Sequence, residues 1–299
     1  MASKNYCKVA EKYEADVLSG KILACEFVKQ SIRRNQKDRI RYKEHGLYAF
    51  SESEGNRVCK FIELLTHTKG ALAGQKIKLE PWQVWALSTI FGWRRRADGG
   101  RRFRRVYIEV PRGNGKSCLS SGVALYCLLA DREPGAEVYS FATTRDQAKI
   151  VFGDAKQMCV ANKALRENFG LEVLANALYV PRTNSTFQAK SAEGSTLDGL
   201  NTHFACVDEL HAHKTRAVYD VVETSMGKRL NSILWVITTA GFDTSGICYE
   251  VRTMVRGVLS GTIQDETQFG VIYTIDEDDD WTTEEALIKA NPNWGVSVM

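Results

Sequence analysis

A chain of 299 residues, 44% hydrophobic and 25% charged, has the composition of a folded protein with room for one large α/β domain or two smaller ones. Its formal net charge of +4 is only mildly basic, so any case for nucleic acid must rest on local clustering. Eight scattered cysteines with no C-x-x-C pair argue against a disulfide scaffold, and no apolar run nears the roughly eighteen residues of a membrane span. The polar N-terminus does not read as a signal peptide, so a soluble protein of the cytoplasm is expected.

Residues 1–68 read as a helical segment, with Val17, Ile22, Cys25, Val28 and Ile32 on one apolar stripe and Val58, Phe61, Ile62, Leu64 and Leu65 on another. Leu79-Glu80-Pro81-Trp82-Gln83 starts a helix with Pro81 in its first turn. Seven arginines then fall within twelve residues (Arg94, Arg95, Arg96, Arg101, Arg102, Arg104 and Arg105) around a Gly99-Gly100 turn. Such density suits DNA phosphates or a neighbouring subunit, and the alternative is a solvated hairpin. Val106 to Val110 is a short β-type run, followed by an apolar helix from Cys118 to Ala130 that ends before Pro134-Gly135. A strand over 138–142, a helix over 146–160, a β-rich patch over 179–190 and strands over 204–207 and 233–238 complete the pattern. Strands alternating with helices predict βαβ units and a parallel sheet covered on both faces. The acidic run Asp276 to Asp280 reads as a solvated loop, and Thr143-Thr144-Arg145 follows its strand as a DNA-contacting loop would.

Three of these junctions carry chemistry. Glu109-Val-Pro-Arg-Gly-Asn-Gly-Lys-Ser117 ends as a phosphate-binding loop, although Val110 stands where the usual pattern has its first glycine. In such a loop Gly113 and Gly115 let the chain curl so that backbone N–H groups and a helix N-terminus face phosphates, with Asn114 between them. Lys116 would reach the β- and γ-phosphates of ATP, and Ser117 would ligate Mg²⁺. The alternative is a strand–helix turn that contains Gly-Lys-Ser by chance.

About ninety residues on, the apolar run Phe204 to Val207 ends in Asp208-Glu209. An acid at such a strand end can hold the Mg²⁺ site (Asp208), and its neighbour can polarise a water for attack on a γ-phosphate (Glu209). Ile233 to Ile237 ends in Thr238-Thr239-Ala240-Gly241, whose hydroxyls would sense the γ-phosphate, unless this is an ordinary strand-to-turn junction. Gln83 offers the donor and acceptor that the edge of adenine requires. His211 and His213 suggest zinc, but without a cysteine pair nearby a structural role fits them better.

Taken with GKILACEFV, LEPWQVWALSTIFGW, RRFRRVYIEVPRGNGKS, AEVYSFATTRDQAKIVF, STLDGLNTHFACVDELHAH, ITTAGFD and ANPNWG, the chain resembles the large terminase subunit of tailed bacteriophages. The resemblance implies a RecA-like P-loop ATPase fold with a mainly parallel central sheet, preceded by an N-terminal helical lid, with the ATPase core over 69–275. It implies ATP and Mg²⁺ as cofactors, and a motor that moves double-stranded DNA into a procapsid in the host cytoplasm. Expected partners are the portal protein, the small terminase subunit and further copies of the chain in a ring, with no membrane involved.

Carried over by position, Gln83 resembles the adenine reader, Val110 to Ser117 the phosphate loop with Arg112 inside it, and Thr238 to Gly241 the coupling motif. Asp208 resembles the magnesium acid and Glu209 the catalytic glutamate. Arg112 would act within its own subunit, and Arg216 and Arg229 are candidates to act across a subunit boundary. Residues 276–299 would be a linker toward a nuclease domain that the chain does not carry, so no DNA cleavage is expected. The competing readings are a helicase-like translocase, which needs a second motif set, and a nucleotide-gated binding module, which has no need of Glu209.

Overall fold

The computed structural model describes residues 4–143, 145–191 and 199–299, with no side-chain description for 145 and 146. Thr144, the side chain of Arg145 and the stretch Ser195 to Asp198 therefore lie outside the described residues. The N-terminal part holds helices α1 (Tyr6–Leu18), α2 (Glu26–Arg41) and α3 (Glu52–Ile62), with strand β1 (Tyr48–Phe50) between the last two. Helix α4 (Pro81–Gly92) runs into β2 (Trp93–Arg95), which pairs antiparallel with β1. Then come β3 (Arg105–Glu109), α5 (Lys116–Leu129), β4 (Glu137–Ala142), α6 (Arg145–Ala161) and α7 (Lys163–Phe169). A small meander follows, β5 (Glu172–Val173), β6 (Leu178–Val180) and β7 (Ser185–Ser191). The remainder is β8 (Thr202–Asp208), α8 (Ala217–Ser225), β9 (Ile233–Thr238), α9 (Ile247–Ser260), β10 (Gln268–Ile272) and α10 (Glu284–Ala290).

The main sheet has eight strands in the order β10-β3-β9-β8-β4-β7-β6-β5. From β10 to β7 every pairing is parallel, and only the β5–β6–β7 edge is antiparallel. Successive strand residues feed two different cores. Val106 and Ile108, Phe204 and Cys206, and Trp235 and Ile237 belong to one apolar cluster. Their neighbours Tyr107, Ala205, Val207, Leu234 and Val236 belong to a second, packed under α8 and α9. Side chains alternate across a pleated sheet, so a strand buried on both faces needs an unbroken apolar run, which is why these segments were legible.

The N-terminal helices share the first of these cores. Tyr6, Ala10, Val28, Ile32 and Val58 lie in one cluster with Leu125 and Phe204, and α4 is buried on all sides between them and the sheet. Strand β10, α8 and α9 had not been predicted from the sequence. The acidic run lies in a loop with Glu277, Asp278 and Asp280 exposed, as expected, while Asp276 accepts the N–H of Glu26 at 2.8 Å and Asp276 and Asp279 both pair with Lys289.

The arginine-rich hairpin forms as expected, with Arg94 bridged to Arg101; Arg101 and Arg102 are buried and so turned away from DNA or a neighbouring subunit, while Arg96 is exposed and Arg94, Arg95, Arg104 and Arg105 are partly exposed. Arg101 is 1% exposed and pairs with Asp131, which also meets His203 at 2.6 Å. Arg102, equally buried, pairs with Asp38 at 2.6 Å and Glu266 at 2.5 Å, and lies within 6 Å of the rings of Tyr42, Tyr48, Trp93 and Phe103. Arg94 pairs with Glu54, Arg95 with Asp98 and Arg105 with Glu223 and Asp265, while Arg96 and Arg104 donate to backbone carbonyls. Arg229 is likewise paired within its own chain, with Glu133 and the carbonyls of Asn201 and Gly135. A guanidinium taken out of water needs a carboxylate and several acceptors; this end of the sheet supplies the carboxylates, while Arg94 Nε, Arg101 Nε, Arg102 Nη1 and Arg104 Nε are buried without a hydrogen-bond partner among the described residues.

Candidate active site

The sequence-predicted residues converge where the parallel strands end. Strand β9 lies between β3 and β8, so the loop after β3, the acids after β8 and the threonines at the end of β9 share one edge. The register aligns them: Glu109 is opposite Thr238, and Asp208 is opposite Ile237. Loops at the carboxyl ends of parallel strands are where open α/β sheets bind ligands.

The loop Val110 to Gly115 leads into α5 through two glycines in the left-handed region, Gly113 at φ 84° and Gly115 at φ 74°. A side chain at either position would strain the backbone. Among the described residues the N–H groups of 112 to 118 donate to no hydrogen-bond acceptor, which leaves a row of free amides at the N-terminus of a long buried helix. This donor set fits a phosphate chain.

Lys116 is 8% exposed, and its Nζ lies 3.3 Å from the Val110 carbonyl and 3.7 Å from Glu209 Oε1. Burial pulls the lysine below its ordinary pKa, against the opposing pull of Glu209 and Asp208. Asp208, 7% exposed, is pushed up to about 6 by burial and then by the adjacent Glu209. A buried carboxyl beside a second carboxylate is a site that a divalent cation would relieve. Ser117, on the first turn of α5, is half-buried.

Glu209 has φ 50°, a conformation that non-glycine residues adopt at a cost, and such strain concentrates at functional sites. Its Oε2 accepts from the N–H and hydroxyl of Thr239 at 3.3 and 3.4 Å and lies 3.2 Å from His211 Nδ1. His211 Nδ1 is also 3.1 Å from Thr238 Oγ1. His211 thus orients the glutamate, a role consistent with the structural reading. Among the described residues the group close enough to hold a metal is Cys127, Asp131 and His203, and there Asp131 is already neutralised by Arg101.

The remaining expected residues divide. Gln83 faces the loop across a cavity of about 230 Å³ that Ile77, Leu79 and Leu119 help to line. Its Oε1 accepts from the Glu80 N–H at 3.0 Å, while its Nε2 lies 3.5 Å from where a Cβ on Gly115 would sit. Arg112 is exposed, with no ion pair among the described residues. Arg216 is exposed too, and pairs with Asp220 and Glu250 of its own chain.

Asn114 is fully buried, and its side chain turns away from the phosphate-facing amides. It donates to the carbonyls of Pro111 and Arg112 and to Asn291 Oδ1 at 2.9 Å, and its Oδ1 accepts from the Asn293 N–H at 3.0 Å. Residues 291–298, expected as part of a linker, therefore pack on the loop. Sequence reading did not place Asn291, Asn293 or Ser297 at the site, and the Asn-Pro-Asn run is its one local signal.

The fold is that of a RecA-like ATPase domain, with a mainly parallel sheet flanked by helices. The chain belongs to the family described as terminase large subunit, ATPase domain, which matches residues 81–257. It is 27% identical over 249 residues to the large terminase subunit of Enterobacteria phage HK97, covering 82% of this chain and 47% of that one. The crystal structure of the HK97 large terminase superposes with a TM-score of 0.69 at 26% identity, over 81% of this chain and 48% of that one. Protein YmfN of Escherichia coli (strain K12) is 50% identical over 101 residues, 34% of this chain and 22% of its own length. The chain thus spans about half the length, or less, of these relatives. Among the described residues no helix is long and apolar enough to cross a membrane.

Proposed function

We propose that this chain hydrolyses ATP with Mg²⁺ to drive double-stranded DNA into a viral procapsid, acting in the host cytoplasm as a ring of subunits with portal protein and small terminase subunit. The observation that carries it is the meeting of the free loop amides, Lys116, Asp208, Glu209 and Thr239 at one sheet edge. The loop amides and Lys116 would bind the triphosphate, and Gln83 would present an N–H to the base. Mg²⁺, held through Ser117 and Asp208, would neutralise charge on the phosphate oxygens.

Glu209 would take the proton of the attacking water. Thr239 and His211 hold one of its oxygens, so the carboxylate is aimed before substrate arrives and little reorganisation is left for the reaction. Loss of the γ-phosphate would be felt first at Thr239, which bonds Glu209, and then along β9, the strand shared by both motif-bearing neighbours. The test is steady-state phosphate release with and without linear double-stranded DNA, over a range of protein concentrations and with Mg²⁺ chelated. Stimulation by DNA and loss on chelation are expected, and turnover indifferent to both would overturn the proposal.

A further inference from the structure

A nucleotide bound here would bridge two elements that do not bond to each other directly. Gln83 lies on α4, and the phosphate loop belongs to the β3–α5 connection. Among the described residues no hydrogen bond joins α4 to residues 110–117. The connection runs through Asn293, which is 5% exposed and lies beyond the 81–257 span of the family match. Its Oδ1 accepts from Nε1 of Trp82, the neighbour of Gln83, at 2.6 Å. Its Nδ2 donates to Ser297 Oγ at 3.0 Å, and that hydroxyl donates to the Gly113 carbonyl at 2.7 Å. Its backbone N–H donates to Asn114 inside the loop. Its Nδ2 also lies 3.7 Å from where a Cβ on Gly115 would sit, the same point that Gln83 Nε2 approaches at 3.5 Å.

We infer that Asn293 is a positioning residue of the nucleotide pocket, holding α4 and its Gln83 at a fixed distance from the phosphate loop. The inference rests on the reading of this pocket as an ATP site. Two anchors held in register before binding spare the ligand the cost of ordering them, and that advantage exists only for a ligand touching both. ATP touches both. Inorganic tripolyphosphate touches the loop alone.

Replacing Asn293 with alanine keeps the backbone N–H to Asn114 and cuts the links to Trp82 and Ser297. The intact chain and Asn293→Ala are to be titrated with ATP and with inorganic tripolyphosphate, both with Mg²⁺. We expect the ATP Kd to rise by about tenfold, the size of two lost hydrogen bonds with one donor left buried, and the tripolyphosphate Kd to stay within about threefold. Trp82→Phe, which removes the indole N–H and keeps a ring, should shift the two ligands in the same unequal way even if the alanine variant folds poorly. ATP affinity within about twofold of the parent in both variants would overturn the inference. So would an equal loss for both ligands, since that marks damage to the loop. A parent chain that binds neither ligand would overturn the ATP reading itself, and this inference with it.

Discussion

The two ends of the same sheet treat charge in opposite ways. At the end where β3 begins, Arg101, Arg102 and Arg105 are closed off by Asp131, Asp38, Glu266, Glu223 and Asp265. At the end where β3, β8 and β9 finish, Lys116 has one carboxylate at 3.7 Å, Asp208 has no ion pair within 4 Å among the described residues, and Glu209 sits in a strained backbone conformation. At the first end the buried charges are paired within the protein, although Arg101 Nε and Arg102 Nη1 are buried without a hydrogen-bond partner among the described residues. The second holds the candidate site, and charge density along the chain gives no hint of which end is which.

The largest effect that would break this comparison lies at the paired end. Arg102→Ala leaves the buried Asp38 without its ion pair, takes one of two arginine partners from Glu266 and empties a cage of four rings, so a loss of about 3–5 kcal/mol is expected, read as a large fall in thermal midpoint or as insoluble protein. A well-folded Arg102→Ala with weakened DNA binding would restore the phosphate-contact reading of this hairpin.

At the end that holds the candidate site, Glu209→Gln keeps size and hydrogen bonding but cannot take up a proton. ATP should still bind, while phosphate release falls by about a hundredfold or more. Lys116→Ala should weaken both, so measuring ATP affinity beside turnover for the two variants separates motor from switch. Parental turnover in Glu209→Gln would remove the catalytic assignment.

A smaller effect sharpens the same contrast through pH. Asp208 titrates near 6 in the folded chain against about 3.8 unfolded, so its favourable contribution is complete below 3.8 and is lost as pH rises through 6. Without Mg²⁺ or nucleotide, Asp208→Asn should therefore be more stable than the parent at pH 7.5, by on the order of 2 kcal/mol, with the difference gone at pH 4. Thermal melts at the two pH values check this, and a pH-independent difference would contradict the burial argument.

The smallest effect is expected at Arg216, whose pairs with Asp220 and Glu250 are about half exposed. Its alanine variant should melt within about 2 °C of the parent, because solvent-exposed ion pairs are screened.

The sequence by itself determined the class of fold and most of the site. A strand buried on both faces must be apolar without interruption, a tight loop feeding a helix must carry glycine, and an acid ending such a strand stands out against it. These are local constraints, so Val106 to Ser117, Phe204 to Glu209 and Ile233 to Thr239 were readable one segment at a time. Tertiary structure alone decided what each charge faces. The seven arginines from Arg94 to Arg105 read as a gripping surface until Asp38, Asp131, Glu223 and Glu266 were brought to them from distant parts of the chain. Asn293 reaches the phosphate loop across 179 residues of chain, and its partners Asn114 and Trp82 carry no local mark of the pairing. Hydrogen bonds of that span follow from the packing of whole elements, and no periodicity or spacing encodes them.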